Sequence, residues 1–108
     1  MLLTTQDEFA DYQIVQTLGP VKGNTIRARH IGKDILASLR NLVGGEVHEY
    51  TKMLAESREQ ALDRMVSQAR ILNADGIVCL RFTTASVMQG AAELLAYGTA
   101  VKLQPKKP

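Results

Sequence analysis

His30, His48 and Cys79 are the side chains of this sequence best suited to a soft or borderline metal ion, and Glu93 is a carboxylate set inside the apolar run Ala91 to Ala96. The two histidines stand eighteen positions apart, which matches no short metal-ligand spacing, so a metal centre built from them needs convergence in space or between copies. Read locally, His30 precedes a helix start and His48 follows a Gly-Gly turn, as loop or cap residues do. Cys79 lies between Val78 and Leu80 in a β-rich run, where a free cysteine serves as a small buried hydrophobe, with Arg81 as its local source of positive charge. Glu93 needs a cation, and Arg81, Arg27 or Arg29 on adjacent strands are the candidates.

Other candidates are structural before they are chemical. Gly44 and Gly45 permit positive φ, and their amides would receive an anion were it not for Glu46 and Glu49 just beyond. Arg40 is suited to fastening a turn through carbonyls, and Tyr50 to anchoring a helix on a sheet; with Arg58 and Glu93 they form the set available for ligand binding or a subunit interface. No GxSxG, P-loop, CxxC, HExxH or dinucleotide fingerprint occurs, and no second carboxylate or polarised histidine sits at a catalytic spacing from Glu93. The residues assign no catalytic role.

At 108 residues, 45% apolar and 22% charged, the chain is a single globular domain, 1–108, with about 104–108 expected as a flexible basic tail. Thirteen basic against eleven acidic residues give +2, and Lys102, Lys106 and Lys107 supply much of that excess, so neither nucleic acid nor a membrane surface is the expected partner. With two Phe, three Tyr and no Trp, aliphatic packing must dominate. One cysteine excludes an internal disulfide, and the first residues carry no basic n-region or long apolar run, which points to a soluble cytoplasmic protein.

Positioning these side chains requires an α+β arrangement, β-β-α-α-β-β, in which one long helix covers an antiparallel sheet. Tyr12 to Leu18 reads as a strand stopped at Gly19-Pro20, and Val21 to Arg29 as its hairpin partner. Ile35, Leu36, Leu39, Leu42 and Val43 mark a first helix ended by Gly44-Gly45. A second helix runs from about Glu46 or Glu49 to Leu72, with Tyr50, Leu54, Ala61, Met65, Ala69 and Leu72 on one face and Ala55, Leu62 and Val66 beside it. Asn73 is placed for a left-handed turn. Ile77 to Met88 is the third strand, with Val78, Leu80 and Phe82 on one side, and Gln89-Gly90 turns it into a last strand, Ala91 to Leu103. The wide helix stripe and the two apolar faces of the last strand leave surface for a neighbouring subunit.

The run Asp34 to Tyr50, DILASLRNLVGGEVHEY, resembles the signature of the YbjQ family, a bacterial group of small domains described as heavy-metal-binding. Arg58 and Ala61, the exit Ala69, Leu72, Ala74 and Asp75, Gly98-Thr99-Ala100-Val101, and Thr4-Thr5 extend the likeness over nearly the whole chain. It implies a dodecin-like subunit in a ring-shaped homopentamer, without an assigned biochemical role. Where relatives often carry acidic residues on the third strand, this chain has Leu80-Arg81-Phe82-Thr83-Thr84, which removes hard ligands. Asn73 stands in place of a common glycine, and His30 in place of a common asparagine.

Three readings follow. The chain is a homo-oligomeric binding or scaffold module without catalysis or cofactor; or it binds a divalent heavy metal through symmetry-related His30, His48 or Cys79; or it is an enzyme with an intersubunit pocket using Arg40, Tyr50, Arg58 or Glu93.

Overall fold

The computed structural model describes residues 1–27, 47–88 and 91–107. Along them run β1 (Leu2–Leu3), β2 (Tyr12–Arg27), α1 (Val47–Ile71), β3 (Gly76–Met88) and β4 (Ala91–Pro105). The strands form one sheet in the order β1-β3-β4-β2. Because β1 lies parallel to β3 while the other pairs are antiparallel, the sheet is mixed rather than purely antiparallel as expected. A two-residue strand has no periodicity to read; backbone bonds define it, with Leu2 N–H donating to Asp75 O at 3.2 Å and Thr4 N–H to Ile77 O at 3.1 Å. The expected first helix and the Gln89-Gly90 turn lie outside the described residues.

The hairpin expected at Gly19-Pro20 is instead one continuous strand of 16 residues. Gly19 adopts φ 124° where the β2–β4 register slips between Thr17 and Gly19, so the bend is absorbed as a bulge. Pro20 is tolerated because β2 is an edge strand. The outward-facing amide of Lys22 donates to Gln68 Oε1 at 2.9 Å, and Pro20, two residues earlier, directs its missing donor to the same open side. At the other end β4 runs two residues past Leu103, pairing Pro105 with Tyr12, and Lys106 N–H donates to Asp11 O at 3.0 Å, so the expected tail begins inside the ladder.

Helix α1 matches the expected long helix, but its buried stripe is narrower. Ser57, Ala61, Met65 and Ala69, spaced by four, are buried, whereas Leu54 and Leu72 retain 42% and 41% exposure. Ala61, Met65 and Ala69 meet Val21, Ile77, Ala96 and Ala100 in the core, with Leu18, Leu62, Val66, Ala74 and Leu80 packed around it. The helix lies over β2 and β4 and meets β3 only marginally. Contact is closest at Gly23: a Cβ there would stand 2.1 Å from Ala61 O and 2.3 Å from Met65 N, so helix backbone rests on strand backbone.

A second bulge corrects the expected faces of β3. Cys79 takes φ 56° where the register slips between Val78 and Arg81, after which Phe82 pairs with Ala96 and shares the helix side of the sheet, opposite to Val78. On the far side Val78 and Val101 are buried, and Phe9 approaches Gly76 closely enough that a Cβ there would meet its ring and Leu103 Cδ1 at 3.0 Å. Gly23→Ala should destabilise the fold by about 1–3 kcal/mol, because the obstacle is backbone rather than a movable side chain; urea unfolding of both proteins measures it.

Candidate functional site

The exit of α1 is built by local hydrogen bonds. Ala74 N–H donates to Ala69 O and Asn73 N–H to Arg70 O, both at 3.0 Å, and Asn73 adopts φ 58°, the left-handed conformation its position predicts. Arg70 places positive charge in the last turn. Immediately beyond, Asp75 Oδ2 accepts from Leu103 N–H at 2.9 Å, and Lys102 Nζ reaches Asn73 O at 2.8 Å and Asp75 Oδ1 at 3.4 Å. The Leu103 amide, joined by Lys102, holds the Asp75 carboxyl below its ordinary pKa against an opposing desolvation effect. This constellation fastens helix, β3 and β4 together; the residues are all engaged with one another, as a clamp requires.

A second polar group lies on the sheet face opposite the helix. Val21, Gly23 and Thr25 face α1, so Lys22, Asn24 and Ile26 face away, and Glu93, directly across from Ile26, is on that outer side. Its Oε2 accepts from Asn24 Nδ2 at 3.0 Å. Arg81, expected as a partner of Glu93, is committed elsewhere: its Nη1 donates to Thr5 O at 2.7 Å and Leu80 O at 2.8 Å, tying the N-terminal segment to β3. Among the described side chains Asn24 is the partner of Glu93; Arg29 and the side chain of Arg27, the other cations expected there, lie outside the described portion.

The other candidates do not gather around either group. Arg58 is exposed on α1, on the opposite side of the sheet from Glu93. Cys79 is a free, half-buried thiol at the bulge, where its N–H donates to Gln6 O at 2.9 Å. His48 and Tyr50 stand in the first turns of α1, their side chains outside the described portion, and His30, Arg40, Gly44 and Gly45 lie outside the described residues. Among the described residues no three His, Cys, Asp or Glu side chains gather to hold a metal ion. An open hollow of about 750 Å³ is lined by Gln13, Gln104, Pro105, Lys106 and Lys107, exposed groups at the end of the β2–β4 ladder.

Two roles went unread in the sequence. Arg64 and Gln68, one turn apart on α1, reach the open edge of β2, where Arg64 Nη1 donates to Asn24 O and Gln68 accepts from the Lys22 amide. Thr25, buried, donates its hydroxyl to Ser57 O at 3.5 Å. Polar residues at four-residue spacing were the available signal, but it reads equally well as a solvated helix face.

Residues 1–104 match the model of a family described as "Putative heavy-metal-binding", YbjQ. The chain belongs to the YbjQ family. A UPF0145 protein of Methanococcus vannielii is 59% identical over 104 residues, covering 96% of this chain and 99% of the relative. UPF0145 proteins of Archaeoglobus fulgidus and Thermus thermophilus are each 54% identical, over 96% and 99% of this chain and 96% and 94% of their own lengths. The YbjQ family thus spans archaea as well as bacteria, wider than the bacterial group expected. Among solved structures, a DUF74-family protein of unknown function from Pediococcus pentosaceus shares the fold, with a TM-score of 0.63 at 20% identity over 96% of this chain and 98% of that one. No described helix is long and apolar enough to cross a membrane.

Two outcomes follow from the geometry. The Asp75 pKa is depressed on folding, so its contribution is complete above the ordinary carboxyl pKa near 3.8 and is lost as pH falls through the lower folded value. Asp75→Asn, which still offers Leu103 an acceptor, should flatten that acid limb in thermal melts recorded from pH 2 to 7. Cys79→Gly should raise stability by about 1 kcal/mol by removing the left-handed penalty of a Cβ, whereas Cys79→Val should lower it; chemical denaturation separates the two.

Proposed function

We propose that the protein works as a self-assembling, non-catalytic binding or scaffold module, its assembly a closed homo-oligomer of the pentameric, dodecin-like kind. One observation carries this reading: large apolar side chains are exposed on every element, including Val15 and Ile26 on β2, Leu54 and Ile71 on α1, Phe82 on β3 and Tyr97 on β4. The slender shape gives the same indication, since the radius of gyration of 17.6 Å far exceeds the roughly 13 Å of a compact domain of this length. Such a subunit has too little thickness to bury its own apolar surface, and copies of itself are the partner always at hand. No nucleic acid or membrane is required, and the cytoplasm suits a chain with one free thiol.

The family description favours a second reading, in which a divalent heavy metal is held between copies by His30, His48 or Cys79. Among the described residues Cys79 is the soft donor and no three His, Cys, Asp or Glu side chains gather, which is compatible with an ion held where symmetry multiplies single donors. Native mass spectrometry of untagged protein purified without chelator tests both readings in one spectrum. The expected result is a metal-free oligomer, five subunits by the ring reading. A monomer would refute assembly, and an oligomer retaining stoichiometric metal would replace the first reading with the second.

A further inference from the structure

Residues Arg81 to Ser86 of β3 pair with β4 in a register of their own. It is one residue out from that of Gly76 to Val78 before them, and one out again from that of Met88 after them. At the first slip Cys79 and Leu80 together face Gly98, whose missing side chain leaves room for the extra residue: a Cβ there would stand 2.6 Å from Ile77 Cγ2 and 3.0 Å from Val78 O. Cys79 holds φ 56°, a conformation that its Cβ disfavours, so the bulge needs support from outside the ladder.

That support comes from the N-terminus. Both amides of the bulge turn to the outer edge of β3, where Cys79 N–H donates to Gln6 O at 2.9 Å and Leu80 N–H to Thr4 O at 3.1 Å. Arg81 Nη1 donates to the carbonyl between them, Thr5 O, at 2.7 Å. Three successive residues of β3 thus hold three successive carbonyls of the N-terminal segment, which is also tied by the amides of Leu2 and Thr4 to Asp75 O and Ile77 O. Its side chains add little, since Leu2 and Leu3 are 39% and 36% exposed and residues 5 to 8 are exposed. A terminal segment held chiefly by backbone bonds opens at low cost in free energy.

We propose that residues 1–6 are a releasable strap that sets the register of β3. With the strap in place, both bulge amides are paired and Cys79 stays left-handed. With the strap released, those amides lose their acceptors and Cys79 relaxes to an extended conformation. Arg81 to Ser86 then slip by one residue into the register of Gly76 to Val78, and the extra residue passes to the irregularity already present between Ser86 and Met88. The slip exchanges the two sides of the strand: Phe82 and Thr84, on the helix side, trade places with Arg81 and Thr83. The N-terminus therefore decides which side chains β3 presents to a second copy, and by linkage a copy that prefers one face of β3 shifts the strap. The device operates within a single chain and does not depend on self-assembly.

Backbone direction makes the two registers distinguishable. The Lys22 amide and the Asn24 carbonyl point out of the β2 edge, so Leu94 and Ala96 bond toward β2, and Glu93 and Leu95 toward β3. Their partners Thr83 and Ala85 donate into the ladder, while Thr84 and Leu94 form a non-hydrogen-bonded pair with close Cα atoms. Nuclear Overhauser contacts between Hα atoms should join Thr84 to Leu94 in the wild type. They should join Thr83 to Leu94 in the double variant Thr4→Pro with Arg81→Ala, which loses three of the bonds that shape and hold the strap. Adding Cys79→Gly, which accepts positive φ without the strap, should restore the contact between Thr84 and Leu94. The milder Arg81→Ala alone should speed amide exchange of Cys79, Leu80, Thr83 and Ala85 together by about tenfold. A folded double variant that keeps the wild-type register overturns the strap's role. So does Arg81→Ala if Cys79 and Leu80 exchange no faster, or exchange faster without Thr83 and Ala85.

Discussion

Helix α1 and strand β2 approach until nothing larger than hydrogen fits between them at Gly23, and the rest of the architecture follows from that closeness. Small residues line the seam on both sides, Gly23, Ala96 and Ala100 on the sheet and Ala61 and Ala69 on the helix, with Val21, Met65 and Ile77 as its larger side chains. Small residues bring backbones together and let dispersion act over many atoms, but they bury little area each. The resulting layer is thin and well packed, and stability must also come from hydrogen bonds across the seam.

Those bonds explain why an edge strand of 16 residues is tolerable. Because α1 lies so low over β2, Arg64 and Gln68 can bend round the edge and occupy backbone groups that would otherwise invite another strand. Pro20 protects the same edge by lacking a donor. The bulges at Gly19 and Cys79 shift the register of the ladders, and the one at Cys79 carries Phe82 to the helix side of the sheet. The Asp75–Lys102 clamp then locks the helix exit to β4 at the far end of the seam.

A thin layer leaves apolar surface outside. Helix and sheet each bury one stripe against the other, while Leu54 and Ile71 on one side and Ile26 and Tyr97 on the other keep their exposure. Single exposed apolar residues are ordinary on protein surfaces; here they recur on α1 and on every strand, and that recurrence is what the proposed self-assembly would account for. Family membership is consistent with this reading, and its metal description draws no support from the described donors.

Local chemistry was legible in the sequence wherever a single element carried it. The span of α1, the left-handed Asn73, the runs of β3 and β4 and the family signature all depend on propensity, periodicity or motif, which neighbouring residues set between themselves. The tertiary structure alone decided what distant residues do for each other. It made Gly19-Pro20 a bulge instead of a turn, brought Asn24 to Glu93 while turning Arg81 to the carbonyls of Thr5 and Leu80, and carried Phe82 to the helix side of the sheet. The reason is that edge position, register and face arise from pairing: one slipped residue exchanges the two sides of a strand, and no pattern within the strand records the slip.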